Sequence, residues 1–132
     1  MGSDSTPQAV FVVNANDDVV EMLRIILEQA GFVVVSMHVD EIKRGATDFE
    51  QFVRQHAPSA IVYDVPPPYE RQWHFLQHLR ARPFVKNVPF VLTTTNVEQL
   101  RRAVGTDEPL CEIVGKPYDL EKIVQAVQQT VS

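Results

Sequence analysis

The sequence predicts an α/β domain of (βα)5 pattern, a doubly wound parallel sheet with helices on both faces. Two observations predict it. Five apolar runs of strand length, residues 9–13, 32–35, 60–63, 89–93 and Cys111–Gly115, alternate with segments whose apolar residues recur at helical spacing. Most of the runs are near-continuous Val, Ile and Phe, the pattern of strands covered on both faces. Short crossovers between parallel strands are right-handed, which sends helices to both sides of the sheet.

The helical segments follow in order. Asn16 is a candidate N-cap for the first, Val19, Leu23, Ile26, Leu27 and Ala30 lie on one face, and Gly31 fits the position just past the end. Thr47 with Glu50 reads as a capping box for a second helix ending near His56. A third covers residues 71–82, with Trp73, Leu76 and Leu79 inward. The fourth is Val97–Val104, before Gly105, and the fifth follows Asp119, a good N-cap, with Leu120, Ile123, Val124 and Val127 inward. Residues 1–8 are small and polar and read as a disordered leader or tag; residues 9–132 form the domain.

Composition narrows the function classes. A chain of 132 residues, 45% hydrophobic, is one folded domain with a core of useful size. The net charge of −5 argues against a chain-wide electrostatic grip on nucleic acid or an anionic membrane. Residues 69–102 nevertheless carry +4 and the remainder −9. That excess (Arg71, Arg80, Arg82, Lys86, Arg101, Arg102) reads as a solvated face, because no recognition-helix pattern accompanies it. A single cysteine, Cys111, excludes an internal disulfide. No apolar run approaches the roughly 18 residues of a membrane span, and no signal peptide opens the chain. The expectation is a soluble, cytoplasmic protein.

In an open parallel sheet, ligands sit beyond the carboxyl ends of the strands. There the sequence places Asn14-Ala15-Asn16-Asp17 after strand one, Asp64 after strand three, Thr93-Thr94-Thr95 at strand four and Gly115-Lys116-Pro117 at strand five. A carboxylate, a hydroxyl and a lysine on one rim suit a phosphoryl group carried on the carboxylate. Asp64 is then the nucleophile, Lys116 neutralises the transferred group, and Thr94 donates to one of its oxygens.

With these residues the chain resembles the receiver domain of two-component response regulators, the CheY-like, flavodoxin-like fold. The resemblance runs from about Ala9 to Val131. It rests on Asp64 with Pro68 four residues on, Thr94 thirty residues after Asp64, and Lys116-Pro117-Tyr118 beginning 22 residues after Thr94. It implies strand order 2-1-3-4-5, a cis peptide before Pro117, and a phosphoryl group accepted on Asp64 from a histidine kinase or phosphotransfer protein. It also implies that phosphorylation switches the face made by the fourth helix, fifth strand and fifth helix toward an output domain, a partner protein or a second copy. On this reading the chain is not a conventional enzyme and at most catalyses its own phosphoryl transfer and dephosphorylation.

The sequence departs from the family at the metal site. Where the family has two adjacent acidic residues holding Mg2+, this chain has Asn14 and Ala15. Asp64, Asn14 and the backbone carbonyl of Pro66 remain as oxygen donors, for a weak Mg2+ site at best. Asp17, Asp18 and Glu70 are the carboxylates that could swing in as substitutes, although Asp17 and Asp18 read first as complements to the first helix dipole. The family's aromatic switch position holds Ile113, and Pro66-Pro67-Pro68 stiffens the segment after Asp64. The competing reading is a pseudo-receiver, a phosphorylation-independent interaction module. A small α/β enzyme is disfavoured because no second carboxylate or histidine stands on the rim.

Other motifs carry less. His74 and His78 have metal-ligand spacing, but without an H-E-x-x-H pattern or an obvious third ligand they read as solvated. Gly115-Lys116 is not a phosphate-binding Walker loop, and no G-x-G-x-x-G follows the first strand.

Overall fold

A computed structural model describes residues 8–14, 16–43, 49–105, 111–115 and 120–131. The elements are β1 (Ala9–Asn14), α1 (Asp17–Gln29), β2 (Val33–His38), α2 (Val39–Lys43), α3 (Phe49–His56), β3 (Ala60–Asp64), α4 (Tyr69–Arg80), β4 (Phe90–Thr94), α5 (Val97–Val104), β5 (Cys111–Gly115) and α6 (Leu120–Val131). The sheet is parallel, in the order β2-β1-β3-β4-β5. Both the class and the strand order are as expected.

Alternation along each strand builds two cores. Phe11, Val13, Ile61, Tyr63, Phe90 and Leu92 point to one face and meet Val53 of α3, Trp73 and Leu76 of α4 and Leu100 of α5. Val10, Val12, Val62 and Val91 point to the other face and meet Leu23 and Leu27 of α1 and Ile123 and Val127 of α6. A strand with buried residues on both faces must read as a continuous apolar run, which is why the sequence shows little polar alternation.

Local chemistry sets the helix ends. The Asn16 side chain accepts from the N–H groups of Asp18 (2.9 Å) and Val19 (3.2 Å), so it caps α1 as expected. Asp17 and Asp18 sit in the first turn, where carboxylates complement the helix dipole. Gly31, at φ +98°, occupies the left-handed region that favours glycine.

Several boundaries differ from expectation, by one residue at β1, β3 and β4 and by more around β2 and α4. The segment between β2 and β3 carries two helices where one was predicted. The extra one, α2, starts directly off β2. His38 Nδ1 accepts the Asp40 N–H at 3.3 Å, while Glu41 Oε1 accepts the His38 N–H at 3.2 Å. This is a reciprocal cap built on histidine, a residue outside the usual Ser, Thr, Asp and Asn signal. Strand β2 also extends to His38, because all six of its residues pair with β1. Helix α4 starts at Tyr69, two residues before the expected start. Pro68 is extended there and its carbonyl accepts from the Gln72 N–H at 3.1 Å. The same helix ends at Arg80, before the bond into Pro83 disfavours helical geometry at Arg82.

The predicted caps Thr47 and Asp119 and the cis bond before Pro117 lie outside the described residues, as does the expected leader apart from Gln8. The Gln8 carbonyl accepts from the Val33 N–H at 2.9 Å, continuing the sheet. Among the described residues the cis peptide is Pro67–Pro68.

Candidate functional site

The carboxyl ends of β1, β3, β4 and β5 form one rim. In the pairing register Val13 lies opposite Tyr63, Asp64 opposite Thr93, and Thr94 opposite Gly115. Asn14 and Asp64 thus end the two neighbouring strands β1 and β3, and Lys116 follows β5 outside the described residues, together with Ala15.

Asp64 is partly buried, and its Oδ1 accepts a hydrogen bond from Thr93 Oγ1 at 2.9 Å. The spacing of thirty residues had singled out Thr94. That reading gave Thr94 an oxygen of the phosphoryl group; the hydroxyl that reaches Asp64 itself is that of Thr93, which lies directly opposite it in register, since side chains alternate along β4. Thr94 is fully buried, and its Oγ1 accepts the Asn96 N–H at 3.3 Å. That bond leads into α5, where Asn96 Oδ1 caps the Gln99 N–H at 3.1 Å. Thr95 Oγ1 lies 3.3 Å from the Tyr69 hydroxyl, at the start of α4. The three threonines therefore face three ways: to the acidic side chain, to the α5 turn and to α4.

Tyr69 was not singled out by motif reasoning. Its signal is positional, since it directly follows the three prolines and begins α4. The Tyr69–Thr95 contact joins the segment after β3 to the segment after β4, the two loops flanking Asp64. A groove of about 370 Å3 opens beside it, lined by Pro68, Tyr69, Glu70, Gln99, Arg102 and Ala103.

Asn14 is buried, 4% exposed, and its Oδ1 accepts the Asn16 N–H at 2.9 Å. The Asn14 amide oxygen, one of the expected Mg2+ donors, is thus engaged with its own turn. Asp17, Asp18 and Glu70 are exposed on the first turns of α1 and α4. Among the described residues no three His, Cys, Asp or Glu side chains gather closely enough to hold a metal ion.

Solved structures of the same shape decide the fold. The chemotaxis protein CheY4 of Vibrio cholerae superposes with a TM-score of 0.70 at 20% identity, over 95% of this chain and 99% of that one. The chain has the CheY-like receiver fold. The signal receiver domain of a histidine kinase from Syntrophus aciditrophicus is similar too, at TM-score 0.69 and 19% identity over 94% of this chain and 89% of that domain. No family model matches. Among curated proteins, the transcriptional regulatory protein GltR of Pseudomonas aeruginosa is 23% identical over 121 residues, 92% of this chain and 48% of GltR. The phosphate regulon transcriptional regulatory protein PhoB of Escherichia coli is 25% identical over 122 residues, 90% of this chain and 49% of PhoB. The chain spans about half the length of the curated relatives it matches.

On the receiver fold, Tyr63 is the neighbour of Asp64 on β3 and points to the opposite face, into the core. Its hydroxyl is buried, with no hydrogen-bond partner among the described residues. Burial, and then the charge of Asp64, push its ionisation well above the ordinary phenol range. An unpaired buried hydroxyl costs about 1–3 kcal/mol relative to a satisfied one. The Tyr63→Phe variant is therefore expected to unfold at higher urea concentration than the parent with an unchanged slope. A less stable phenylalanine variant would show that the hydroxyl has a partner.

Proposed function

We propose that the chain is the receiver module of a two-component signalling protein, with Asp64 as phosphoacceptor and a metal site that is weak or absent. The observation that carries the reading is the placement of Asp64 at the end of β3, in the centre of the rim, beneath a hydroxyl-bearing strand end. The carboxylate attacks phosphorus of a phosphohistidine on a histidine kinase or phosphotransfer protein. The P–N bond breaks, the imidazole leaves and takes a proton, and an acyl phosphate remains on Asp64. Lys116, directly after β5, offsets its charge. Thr93 and Thr94 are the hydroxyls at hand for its oxygens. The output surface is the face of α5, β5 and α6, presented to an output domain, a partner protein or a second copy. The module is no conventional enzyme, works in the cytoplasm and engages neither nucleic acid nor membrane itself; among the described residues no helix is long and apolar enough to cross a membrane.

The weak-metal part rests on donor chemistry. Mg2+ takes oxygen ligands and is usually held by one or two carboxylates plus phosphate and water. Here Asn14 supplies an amide oxygen already bonded to Asn16, Ala15 supplies a methyl, and Asp64 is the one carboxylate at these positions. This donor set does not fit tightly bound Mg2+.

Incubation with phosphoramidate and Mg2+, followed by intact-mass measurement, tests both parts. The expected result is slow, incomplete addition of one phosphoryl group, abolished in Asp64→Asn. Addition that persists in Asp64→Asn, or none after prolonged exposure, would overturn the acceptor assignment. Rapid stoichiometric addition would overturn the weak-metal assignment alone.

A further inference from the structure

We propose that His74 and His78 on α4 form a two-imidazole clamp for a divalent transition metal of the Zn2+, Cu2+ or Ni2+ type. Spacing alone left this pair as solvated; the geometry adds what spacing lacked. The two Nε2 atoms lie 3.3 Å apart, with ring centroids at 4.7 Å and planes at 81°. Two nitrogens each about 2.0–2.1 Å from a zinc ion at the tetrahedral angle are about 3.3–3.4 Å apart. The Nε2 separation already equals the bite of the ion.

Helix geometry explains why. Residues four apart stack on one face, and the intervening turn is held by backbone hydrogen bonds. Both side chains are exposed on the face of α4 opposite Trp73 and Leu76, so turning a ring disturbs no core contact. Aiming both Nε2 lone pairs at one ion takes a turn of both rings away from their mutual hydrogen bond, with the proton of the donating ring moved to its Nδ1. Without metal, the pair shares one long hydrogen bond between the two Nε2 atoms. A borderline-soft cation replaces that bond with two coordinate bonds, and imidazole selects Zn2+, Cu2+ or Ni2+ over Mg2+ or Ca2+. Among the described residues no third His, Cys, Asp or Glu joins the pair. With these two ligands alone the remaining coordination positions fall to water, which leaves the site open and exchangeable. It differs from the candidate Mg2+ position at Asp64 in both place and ligand type.

The test is calorimetric titration of the full chain with Zn2+ in a non-chelating buffer, with Cu2+ electron paramagnetic resonance alongside. His74→Ala and His78→Ala are each expected to weaken binding at least tenfold. The double variant should be no worse than either single one, because a chelate is lost with its first arm. His38→Ala and His56→Ala serve as controls and keep parent affinity, and the Cu2+ spectrum shows two equivalent nitrogens only when both clamp residues are present. Parent-like affinity in either clamp variant, or additive losses in the double one, would overturn the proposal. Circular dichroism of the variants confirms that α4 remains folded, since both positions are exposed.

Discussion

Asn14→Asp combined with Ala15→Asp is expected to speed phosphorylation of Asp64 in the presence of Mg2+ by on the order of a hundredfold, the size of effect one well-placed charge-stabilising group has on a transition state. Asp64 and an incoming phosphoryl donor are both anionic, so their approach is opposed unless a cation lies between them. The parent chain offers that cation one carboxylate and an amide oxygen. Aspartate at position 14 keeps the acceptor that receives the Asn16 N–H, so the turn is preserved while a charge is added. That charge enters a site only 4% exposed, on the strand next to Asp64. Without metal, two neighbouring carboxylates repel, and the double variant should be less stable than the parent by about 1–3 kcal/mol. Mg2+ should reverse this, because a ligand that binds only the folded state adds about 2.7 kcal/mol at a hundred times its dissociation constant. Thermal melts across a Mg2+ series and single-turnover mass measurement read the two effects separately. If neither rate nor melting temperature responds to Mg2+ in the double variant, positions 14 and 15 are not what limits the parent.

The architecture was readable because burial on both faces leaves a mark on composition. Runs such as Val10-Phe11-Val12-Val13 and Ile61-Val62-Tyr63 can only be parallel strands or buried helix segments, and their length and the helical periods between them decide the matter. The rim position of Asp64 followed from the same reasoning, since it ends the third run. Contacts across strands were less readable. A spacing of thirty residues fixes distance along the chain, whereas hydrogen bonding at the rim depends on register, and a one-residue difference reverses the face of a side chain. Hence Thr93, not Thr94, holds Asp64 Oδ1. The Tyr69–Thr95 bridge was invisible for a related reason: it depends on α4 starting at Tyr69, directly after Pro68, which prolines permit but do not announce. Helix α2 was missed because histidine serves as its cap acceptor. The His74–His78 spacing was visible, but only the structure supplies the nitrogen separation.

Phe90→Ala is expected to be the most damaging of the conservative-looking core truncations, at about 3–5 kcal/mol. Phe90 opens β4, is fully buried, and pairs in register with Ile61 on one side and Cys111 on the other. Its ring lies 6.4 Å from that of Tyr63, and the Arg80 guanidinium sits 5.6 Å from its centroid while also covering Trp73 at 5.7 Å. Truncation therefore removes a ring from the middle of the core under α4 and one of the two aromatic faces beneath a cation, the latter worth about 0.5–1 kcal/mol. Against a typical domain stability of about 5–15 kcal/mol, the loss is a large share of the total. Phe90→Leu keeps most of the volume and should cost far less, which separates cavity formation from loss of the strand's own preference. Urea unfolding of the three proteins measures the series; an alanine variant within about 1 kcal/mol of the parent would mean that α4 collapses onto the void. Such a collapse has a consequence at the rim. Helix α4 carries Tyr69 at its first position, so a shift of the helix toward the sheet moves the Tyr69 hydroxyl against Thr95 and alters the loops on either side of Asp64. The core beneath Trp73 and the geometry of the acceptor site are thus coupled through one helix: a Phe90 variant that keeps its stability by collapse should lose phosphorylation rate, whereas one that keeps an open cavity should lose stability and retain the rate.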